Sequence, residues 1–174
     1  SYEATLDAFR KASRKSDLIL TSGGMSVGEA DYIKPVVEAL GHIDMWKIAV
    51  KPGKPVAKGE VNGVPFLGLP GNPVSSLVTF LIFAQPLILK LSGRRDIEVK
   101  SYNLPLDFDW KGGSRREFIR VRRNENGALE AYRTQNSSVL TSCLWADGLA
   151  DIPANADLKK GDLVRYIPFS GFSL

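Results

Sequence analysis

The sequence has little of the residues from which metal centres and disulfide frameworks are built: its 174 residues include one histidine, His42, and one cysteine, Cys143. A lone cysteine excludes an internal disulfide framework. A lone histidine excludes a multi-histidine metal site. Because Cys143 lies in an apolar run, we expect it to pack against its neighbours rather than to act as a nucleophile.

Aromatic residues and net charge are also limited. The three tryptophans, Trp46, Trp110 and Trp145, are scattered rather than grouped as a platform on which bases stack. The net charge of +4 is a mild basic excess that suits an anionic ligand but does not by itself indicate nucleic acid. We therefore expect no nucleic-acid partner.

One apolar run, residues 74–91, is long enough to span a bilayer, but several polar residues and Pro86 interrupt it. Its strongest apolar residues recur every three or four positions, a spacing typical of a helix with one buried face. These residues are Leu77, Phe80, Leu81, Ala84, Leu87, Ile88 and Leu91. We predict a buried helix rather than a membrane span, started by Asn72-Pro73 and kinked or restarted at Pro86.

The first half of the chain alternates between helical and strand patterns. We predict a helix over 2–14, a strand in "DLILT", a helix over 31–40 closed by Gly41, and a strand in "HIDMWKIAV". Next comes a hairpin across Asn62-Gly63, a favoured two-residue turn. Such alternation predicts an α/β domain with a largely parallel sheet.

The second half changes character after "SGRRD". Short β-type runs, "SCLWAD" among them, are separated by turn signals, and no helix of normal length is evident. We therefore predict an α/β domain over 1–95 and a small all-β, barrel-like domain over 96–174.

The segment "TSGGMSVGEAD", 21–31, has more glycine than a strand-to-helix turn requires. Glycines there allow backbone N–H groups to hold an oxyanion, and Ser22 and Ser26 add hydroxyl donors. The spacing matches neither a P-loop nor a dinucleotide fingerprint. Asp31 is either a helix cap or a Mg²⁺ ligand beside a bound phosphate, with Glu29 a weaker candidate for the metal.

A second segment, "WKIAVKPGKP", places Lys47, Lys51 and Lys54 within eight residues. Pro52 and Pro55 stiffen the loop, so that little ordering entropy remains to be lost when an anion binds. The alternative is an ordinary solvated loop.

Two further segments offer groups that bind anions. "GLPGNPVS" is a turn before a capped helix, and its Gly71 and Asn72 present a second set of backbone donors. "SRREFIRVRR" carries guanidinium groups that suit oxyanions, although an exposed strand face can carry them for solubility. Arg116 and Arg120 share a face with Phe118 if this strand is regular.

Together the motifs "TSGGMSVGEAD", "WKIAVKPGKP", "GLPGNPVS", "REFIR" and "NSSVLTS" resemble, in order and spacing, the MoeA family of molybdopterin molybdenumtransferases, which includes the E domain of gephyrin. The resemblance covers essentially the whole chain. The glycine turn alone is shared with molybdopterin adenylyltransferases, whereas "KPGKP" and the β domain are specific to MoeA.

This resemblance implies an enzyme that inserts molybdate into adenylylated molybdopterin with Mg²⁺ and releases AMP. It assigns the pterin-nucleotide pocket to Gly23, Gly24, Ser26 and Gly28, with Gly71 and Asn72 beside it, and makes Asp31 a metal-linked acid. It assigns molybdate binding to Lys51, Lys54 and Pro55, with Arg120 and Ser137 of the β domain. Lys47 resembles a further functional lysine of the family.

The resemblance also implies a cytoplasmic homodimer that contacts the molybdopterin adenylyltransferase, with no membrane partner. Because the family's "TGDEL"-like turn and two earlier domains do not occur here, we expect the sequence to be a C-terminal portion that is inactive alone. Two alternatives stay open: a peptide-binding scaffold of the gephyrin type, and the adenylyltransferase step, against which "KPGKP" and the β domain argue.

Overall fold

The computed structural model describes residues 1–24 and 31–172, which divide into two compact units. The first unit contains residues 1–48 and 53–95, and the second contains residues 49–52 and 96–174. The lysine-rich segment is therefore divided, with Lys47 and Lys54 in the first unit and Lys51 in the second.

Besides one π-helical turn, the described residues up to Leu91 form nine α-helices and strands, predominantly in the first unit. They are α1 (Tyr2–Ser13), β1 (Ile19–Ser22), α2 (Ile33–Leu40), β2 (Gly41–Trp46), β3 (Val50–Lys51), β4 (Ala57–Val61), β5 (Val64–Leu69), α3 (Pro73–Thr79) and α4 (Gln85–Leu91). Both predicted helices before residue 41 and the "DLILT" strand are confirmed.

The sheet of the first unit has the strand order β1-β5-β4-β2. β1 runs parallel to β5, whereas β4 is antiparallel to both β5 and β2. The predicted α/β class is confirmed, but the sheet is mixed rather than largely parallel. A two-residue hairpin joins only antiparallel strands. Asn62 and Gly63, with φ of 48° and 82°, form the predicted turn between β4 and β5.

Two predicted details around β2 need correction. Gly41 follows α2 as predicted, but its backbone is extended, with φ of 179°, and it begins β2. A Cβ there would overlap the carbonyl of Glu60, so glycine permits the close approach of β4. The predicted strand over 42–50 ends at Trp46, and Val50 pairs instead with Arg116 in the second unit.

The long apolar helix changes register in its middle. Residues Phe80–Ala84 form a π-helical turn between α3 and α4, directly before Pro86, where the sequence predicted a kink or restart. The extra residue moves the buried face to Val74, Val78, Leu81, Ala84 and Gln85, so Leu91 of the predicted stripe is 45% exposed.

Within the described residues, Pro73–Leu91 is the one helix that could span a membrane by length and composition. Such evidence is weak, because the core helix of a soluble protein passes the same test. In the first unit, Ala84 of this helix packs with Val56, Leu67 and Leu69.

The second unit is built mainly from strands. Its elements after residue 100 are β6 (Tyr102–Pro105), β7 (Trp110–Lys111), β8 (Arg116–Arg123), β9 (Leu129–Ala131), α5 (Thr141–Trp145), β10 (Gly148–Ile152), β11 (Asp157–Leu158) and β12 (Leu163–Pro168). The main sheet has the order β3-β8-β10-β12-β6, with β9 on β8. One isolated bridge joins Leu106, after β6, to Leu129 of β9, and the described strands do not form the continuous ladder of a closed barrel.

One run in this unit departs from the predicted strand. "SCLWAD" forms α5 instead, and α5 carries Cys143. The run contains the helix former Leu144, and its Ser142 hydroxyl donates to the carbonyl of Val139 (2.6 Å), which favours a helical turn. Burial raises the pKa of the Cys143 thiol, which keeps it protonated and fits the prediction that it packs.

Candidate functional site

The carboxyl ends of β1 and β5 bring two glycine turns together. The parallel register pairs Ser22 with Leu69, so that Gly23 and Gly71 lie at the same edge of the sheet. The Gly23 N–H donates to the Leu69 carbonyl (3.0 Å). A Cβ on Gly71 would lie 3.3 Å from the Gly23 Cα, so the two backbones are in contact. The close approach favours glycine at position 71, and the positive φ favours it at position 23.

Two serine hydroxyls tie these turns to the first turn of α3. The Ser22 and Ser76 hydroxyl oxygens are 3.0 Å apart, and the Ser76 hydroxyl also donates to the carbonyl of Pro70. Sequence reasoning named Ser22 as a donor but missed Ser76. The available signal was its place in the first turn of a helix that follows a glycine turn.

Asp31 lies beside the glycine turn. Gly23 and Gly24 have positive φ values of 85° and 68°, and a Cβ on Gly24 would overlap the side chain of Ile33. The Asp31 Oδ1 atom accepts the Ile33 N–H (3.3 Å) at the start of α2. The Oδ2 atom is buried and has no hydrogen-bond partner within the part of the chain that the structure describes.

Two assigned pocket residues, Ser26 and Gly28, lie outside the described residues, as does Glu29. Asn72 lies at the N-cap position of α3 and accepts the Ser76 N–H through its main-chain carbonyl (2.8 Å). The first unit thus brings together Gly23, Gly24, Asp31 and Gly71, and places Asn72 directly after Gly71.

The first-unit part of the lysine loop is anchored against α3. Gly53, with φ of 110°, packs against Thr79, and a Cβ there would lie 3.7 Å from Pro70. The Lys54 carbonyl accepts from Ile48 N–H (3.0 Å) and Val56 N–H (3.1 Å), while its side chain stays exposed. Pro55 is half-buried. Lys54 therefore directly follows Gly53, the residue that lies next to Thr79 and Pro70.

Lys47 has a backbone conformation that is uncommon for a side chain with a Cβ. Its φ is 146°, and the side chain is exposed at the end of β2. Non-glycine residues in this region carry strain that the surrounding structure must offset, and such residues cluster at functional sites.

Lys51 belongs to the second unit and is paired there. Its ammonium donates to the Glu117 Oε1 atom (3.0 Å), and Lys51 and Glu117 are register partners on β3 and β8. The Lys51 side chain remains 46% exposed, whereas that of Glu117 is 3% exposed.

Arg120 is a buried cation on β8, 1% exposed. Its Nε donates to the Ser142 hydroxyl (3.1 Å) and its Nη2 to the Asn136 carbonyl (3.2 Å). No carboxylate forms an ion pair with it within residues 1–24 and 31–172. Burial lowers the pKa of the Arg120 guanidinium, because removing its charge from water disfavours the charged form.

Ser137 lies half-buried in the segment that Arg120 holds. Gln135 fixes the start of that segment, because its amide oxygen accepts the Arg120 N–H (2.8 Å) and its amide nitrogen donates to the Arg120 carbonyl (3.0 Å). Arg120 and Glu117 are three residues apart on a regular strand, so they point to opposite faces. Because Lys51 on β3 pairs with Glu117, the side chains of Lys51 and Arg120 do not lie on the same face of this sheet.

Two family models match the chain. Residues 1–90, more than half of the chain, match the model described as "Probable molybdopterin binding domain". Residues 103–169 match the model of the MoeA C-terminal region, domain IV.

Curated relatives agree with these matches. A molybdopterin molybdenumtransferase of Haemophilus influenzae is 57% identical over 88 residues, covering 51% of this chain and 22% of the relative. The molybdenum cofactor synthesis protein cinnamon of Drosophila melanogaster is 36% identical over 160 residues, covering 88% of this chain and 27% of the relative. The chain thus spans about a quarter of the length of either relative.

A solved structure shares the fold. The crystal structure of a molybdopterin biosynthesis MoeA protein from Pyrococcus horikoshii superposes with a TM-score of 0.79 at 31% identity, covering 97% of this chain and 41% of that one. Both family models, the relatives and this structure agree on one assignment. The chain belongs to the MoeA family, as the motifs in its sequence predicted.

Proposed function

We propose that the full-length protein that carries this chain inserts molybdate into adenylylated molybdopterin and releases AMP. In the net reaction the two pterin thiols bond to molybdenum as one molybdate oxygen leaves as water with their protons, and a second water molecule cleaves the phosphoanhydride to give the pterin phosphate and AMP. The support comes from membership of the MoeA family, from the named molybdenumtransferase of Haemophilus influenzae, and from the geometry of the two units.

The observation that carries the proposal is the buried Oδ2 atom of Asp31, which has no hydrogen-bond partner among residues 1–24 and 31–172, beside the left-handed pair Gly23 and Gly24. A buried carboxylate oxygen without a donor is costly unless a cation or a donor binds to it. Glycine turns between a strand and a helix commonly present backbone N–H groups to a phosphate. A phosphorylated ligand with a divalent cation meets both requirements.

The residues present fit a Mg²⁺ ion that is shared with the ligand. The described residues contain no cluster of three or more acidic, histidine or cysteine side chains that holds a metal alone. Mg²⁺ commonly uses one or two carboxylates and completes its coordination with substrate phosphates and water. Asp31 would hold the ion through Oδ2, and the ion would polarise the phosphoanhydride when bound.

The cationic residues supply the oxyanion-binding part of the proposal. In the first unit, Lys54 and Pro55 follow the anchored Gly53, and Lys47, directly after β2, has a strained backbone. In the second unit, Lys51 is held by Glu117, and Arg120 is a buried guanidinium near Ser137. We assign these groups to molybdate on family membership. The buried Arg120 charge adds physical support, because no carboxylate of the described residues pairs with it and a dianion would compensate it.

The test is molybdate-dependent AMP release from adenylylated molybdopterin by the full-length protein. We expect Asp31→Asn to reduce the rate strongly without unfolding the protein, since the amide oxygen still accepts from Ile33. Lys51→Ala combined with Lys54→Ala should raise the molybdate concentration required for half-maximal rate.

A matched control is Lys11→Ala combined with Lys15→Ala, which removes two exposed lysines near the end of α1. This control should release AMP as wild type does. The proposal fails if wild type releases no AMP in response to molybdate, and the site assignment fails if the Asp31 and lysine variants match the control.

We also propose a cytoplasmic homodimer that contacts the molybdopterin adenylyltransferase. The support is family membership, since molybdenumtransferase action on an adenylylated intermediate requires an enzyme that supplies it. Sedimentation of the full-length protein, alone and with the adenylyltransferase, measures both associations.

A further inference from the structure

The geometry points to Glu117 as a positioning residue that holds the Lys51 ammonium in the orientation in which it binds an oxyanion. This inference rests on the proposed function only for the assignment of Lys51 to molybdate. It adds a residue to that site, and the residue acts through Lys51 rather than on the substrate.

Glu117 is a buried carboxylate whose surroundings fix it in place. Trp110 Nε1 donates to its Oε2 atom (2.9 Å), and the Gly113 N–H donates to its Oε1 atom (3.4 Å). The third donor is the Lys51 ammonium, 3.0 Å from Oε1. Because both oxygens are engaged, the side chain has little freedom to rotate away from Lys51.

The backbone of Lys51 is tied to β8 as well. Val50 and Lys51 run parallel to Arg116 and Glu117. The Arg116 N–H donates to the Ala49 carbonyl (3.0 Å), and Arg115 Nη1 donates to the Val50 carbonyl (3.0 Å). Both ends of the lysine side chain are therefore fixed, which is unusual for a residue whose side chain is 46% exposed.

A fixed lysine with spare donors suits recognition of a small dianion. An ammonium group carries more N–H donors than the one that Glu117 uses, and the exposed part of the side chain leaves the others to solvent. Immobilising a long side chain before the ligand arrives removes an entropic cost from binding.

The charge of Glu117 has an effect on anion binding opposite to that of its positioning role. The direction in which molybdate affinity changes on neutralising Glu117 therefore tests the inference. The negative charge of Glu117 repels a dianion and offsets the charge of Lys51. If Glu117 acts only as a counter-charge, then its neutralisation strengthens molybdate binding. If it positions Lys51, neutralisation weakens binding.

The experiment is titration calorimetry of sodium molybdate into the full-length protein. We expect Glu117→Gln to weaken molybdate binding by about three- to tenfold, the range set by the cost of immobilising one long side chain. The same substitution should have no further effect in a Lys51→Ala background, because Glu117 acts through that residue.

Two further variants guard against a trivial loss of folding. Glu130→Gln is the matched control, since it breaks an ion pair between Glu130 and Arg122 in the same unit, and it should bind molybdate as wild type does. Glu117→Asp keeps the charge and withdraws the carboxylate from Lys51. It should weaken binding when Lys51 is present and leave Lys51→Ala unchanged.

Each outcome decides the inference. Unchanged or tighter binding by Glu117→Gln or Glu117→Asp overturns it, and so does a loss that adds in full to that of Lys51→Ala. If Lys51→Ala itself binds molybdate as wild type does, the assignment of Lys51 to molybdate is what fails. If wild type binds no molybdate, the proposed function fails at its first step.

Discussion

The two units differ in how their candidate residues are prepared for an anion. In the first unit backbone groups and one carboxylate gather where two parallel strands end, and Gly23 and Gly71 are close because neither has a side chain. This unit also carries Lys47 and Lys54, both with exposed side chains. In the second unit the candidates are long cationic side chains that other residues hold, as Glu117 holds Lys51.

This difference shows that positive charge counted in a sequence is not positive charge available to a ligand. Arg116 makes a two-pronged pair with Asp151, Nε to Oδ1 at 2.6 Å, and Arg122 pairs with Glu130. Within the described residues of "SRREFIRVRR", Arg120 is the buried cation that lacks a carboxylate partner. Arg120 carries the same charge as the neighbouring arginines and differs from Arg116 and Arg122 in having no carboxylate partner among the described residues.

The largest expected effect concerns the backbone-built region. Gly24→Ala should lower the free energy of unfolding by about 2–4 kcal/mol for two reasons. The new Cβ would overlap the Ile33 side chain, and the backbone at this position would hold alanine in a left-handed conformation. Urea unfolding of the full-length protein measures this loss. Gly63→Ala is the matched control: its φ is 82° and nothing lies near the new Cβ, so it should cost about 1 kcal/mol. Equal losses would show that Gly24 is needed only for its conformation.

The next effect separates the unpaired arginine from a paired one. Arg120→Met should weaken molybdate binding by about 1.5–3 kcal/mol, the contribution of hydrogen bonds to a charged group. Arg122→Met, on the same strand, should leave binding unchanged, since Glu130 already neutralises that guanidinium. Titration calorimetry measures both variants. Equal losses would contradict the distinction between paired and unpaired cations.

A smaller effect is expected from the hydrogen bond between the buried Tyr166 and Asp147, which we expect to stabilise the second unit. The Tyr166 hydroxyl donates to the Asp147 carboxylate (2.7 Å), and burial together with this bond raises the pKa of the phenol. Tyr166→Phe should cost about 1 kcal/mol at neutral pH.

The pH dependence of that cost has a defined sign. A raised pKa means that the folded state holds the proton more tightly, so the contribution is complete below about pH 10, the ordinary tyrosine value, and is lost as the pH rises above it. Urea midpoints of wild type and Tyr166→Phe should therefore converge above pH 10. A constant difference would argue that the tyrosine contributes only by packing.

The sequence predicted the backbone-built region better than the cationic one. The surplus glycines predicted an oxyanion-binding turn, which stays a prediction, and the Asn62-Gly63 hairpin followed directly from local turn preferences. The mixed sheet was missed, since strand order depends on tertiary packing. The helix irregularity was expected at Pro86, but the register change lies just before it, at Phe80–Ala84.

The partners of the cations could not be predicted from their own neighbourhood. Glu117 is 66 residues from Lys51 in the chain, and Ser142 is 22 residues from Arg120. "REFIR" indicates a strand with alternating charge, but nothing local shows which charge is buried or which partner reaches it. Long-range pairing determines both, and it is set only when the strands assemble.

The most direct test of the account is the Mg²⁺ dependence of adenylylated molybdopterin binding, measured with the full-length protein and its Asp31→Asn variant. We predict that Mg²⁺ strengthens binding to wild type and has little effect on the variant, because the Asp31 Oδ2 atom would hold the ion beside the glycine turn. An Asp31→Asn variant with the same Mg²⁺ dependence as wild type would contradict this assignment.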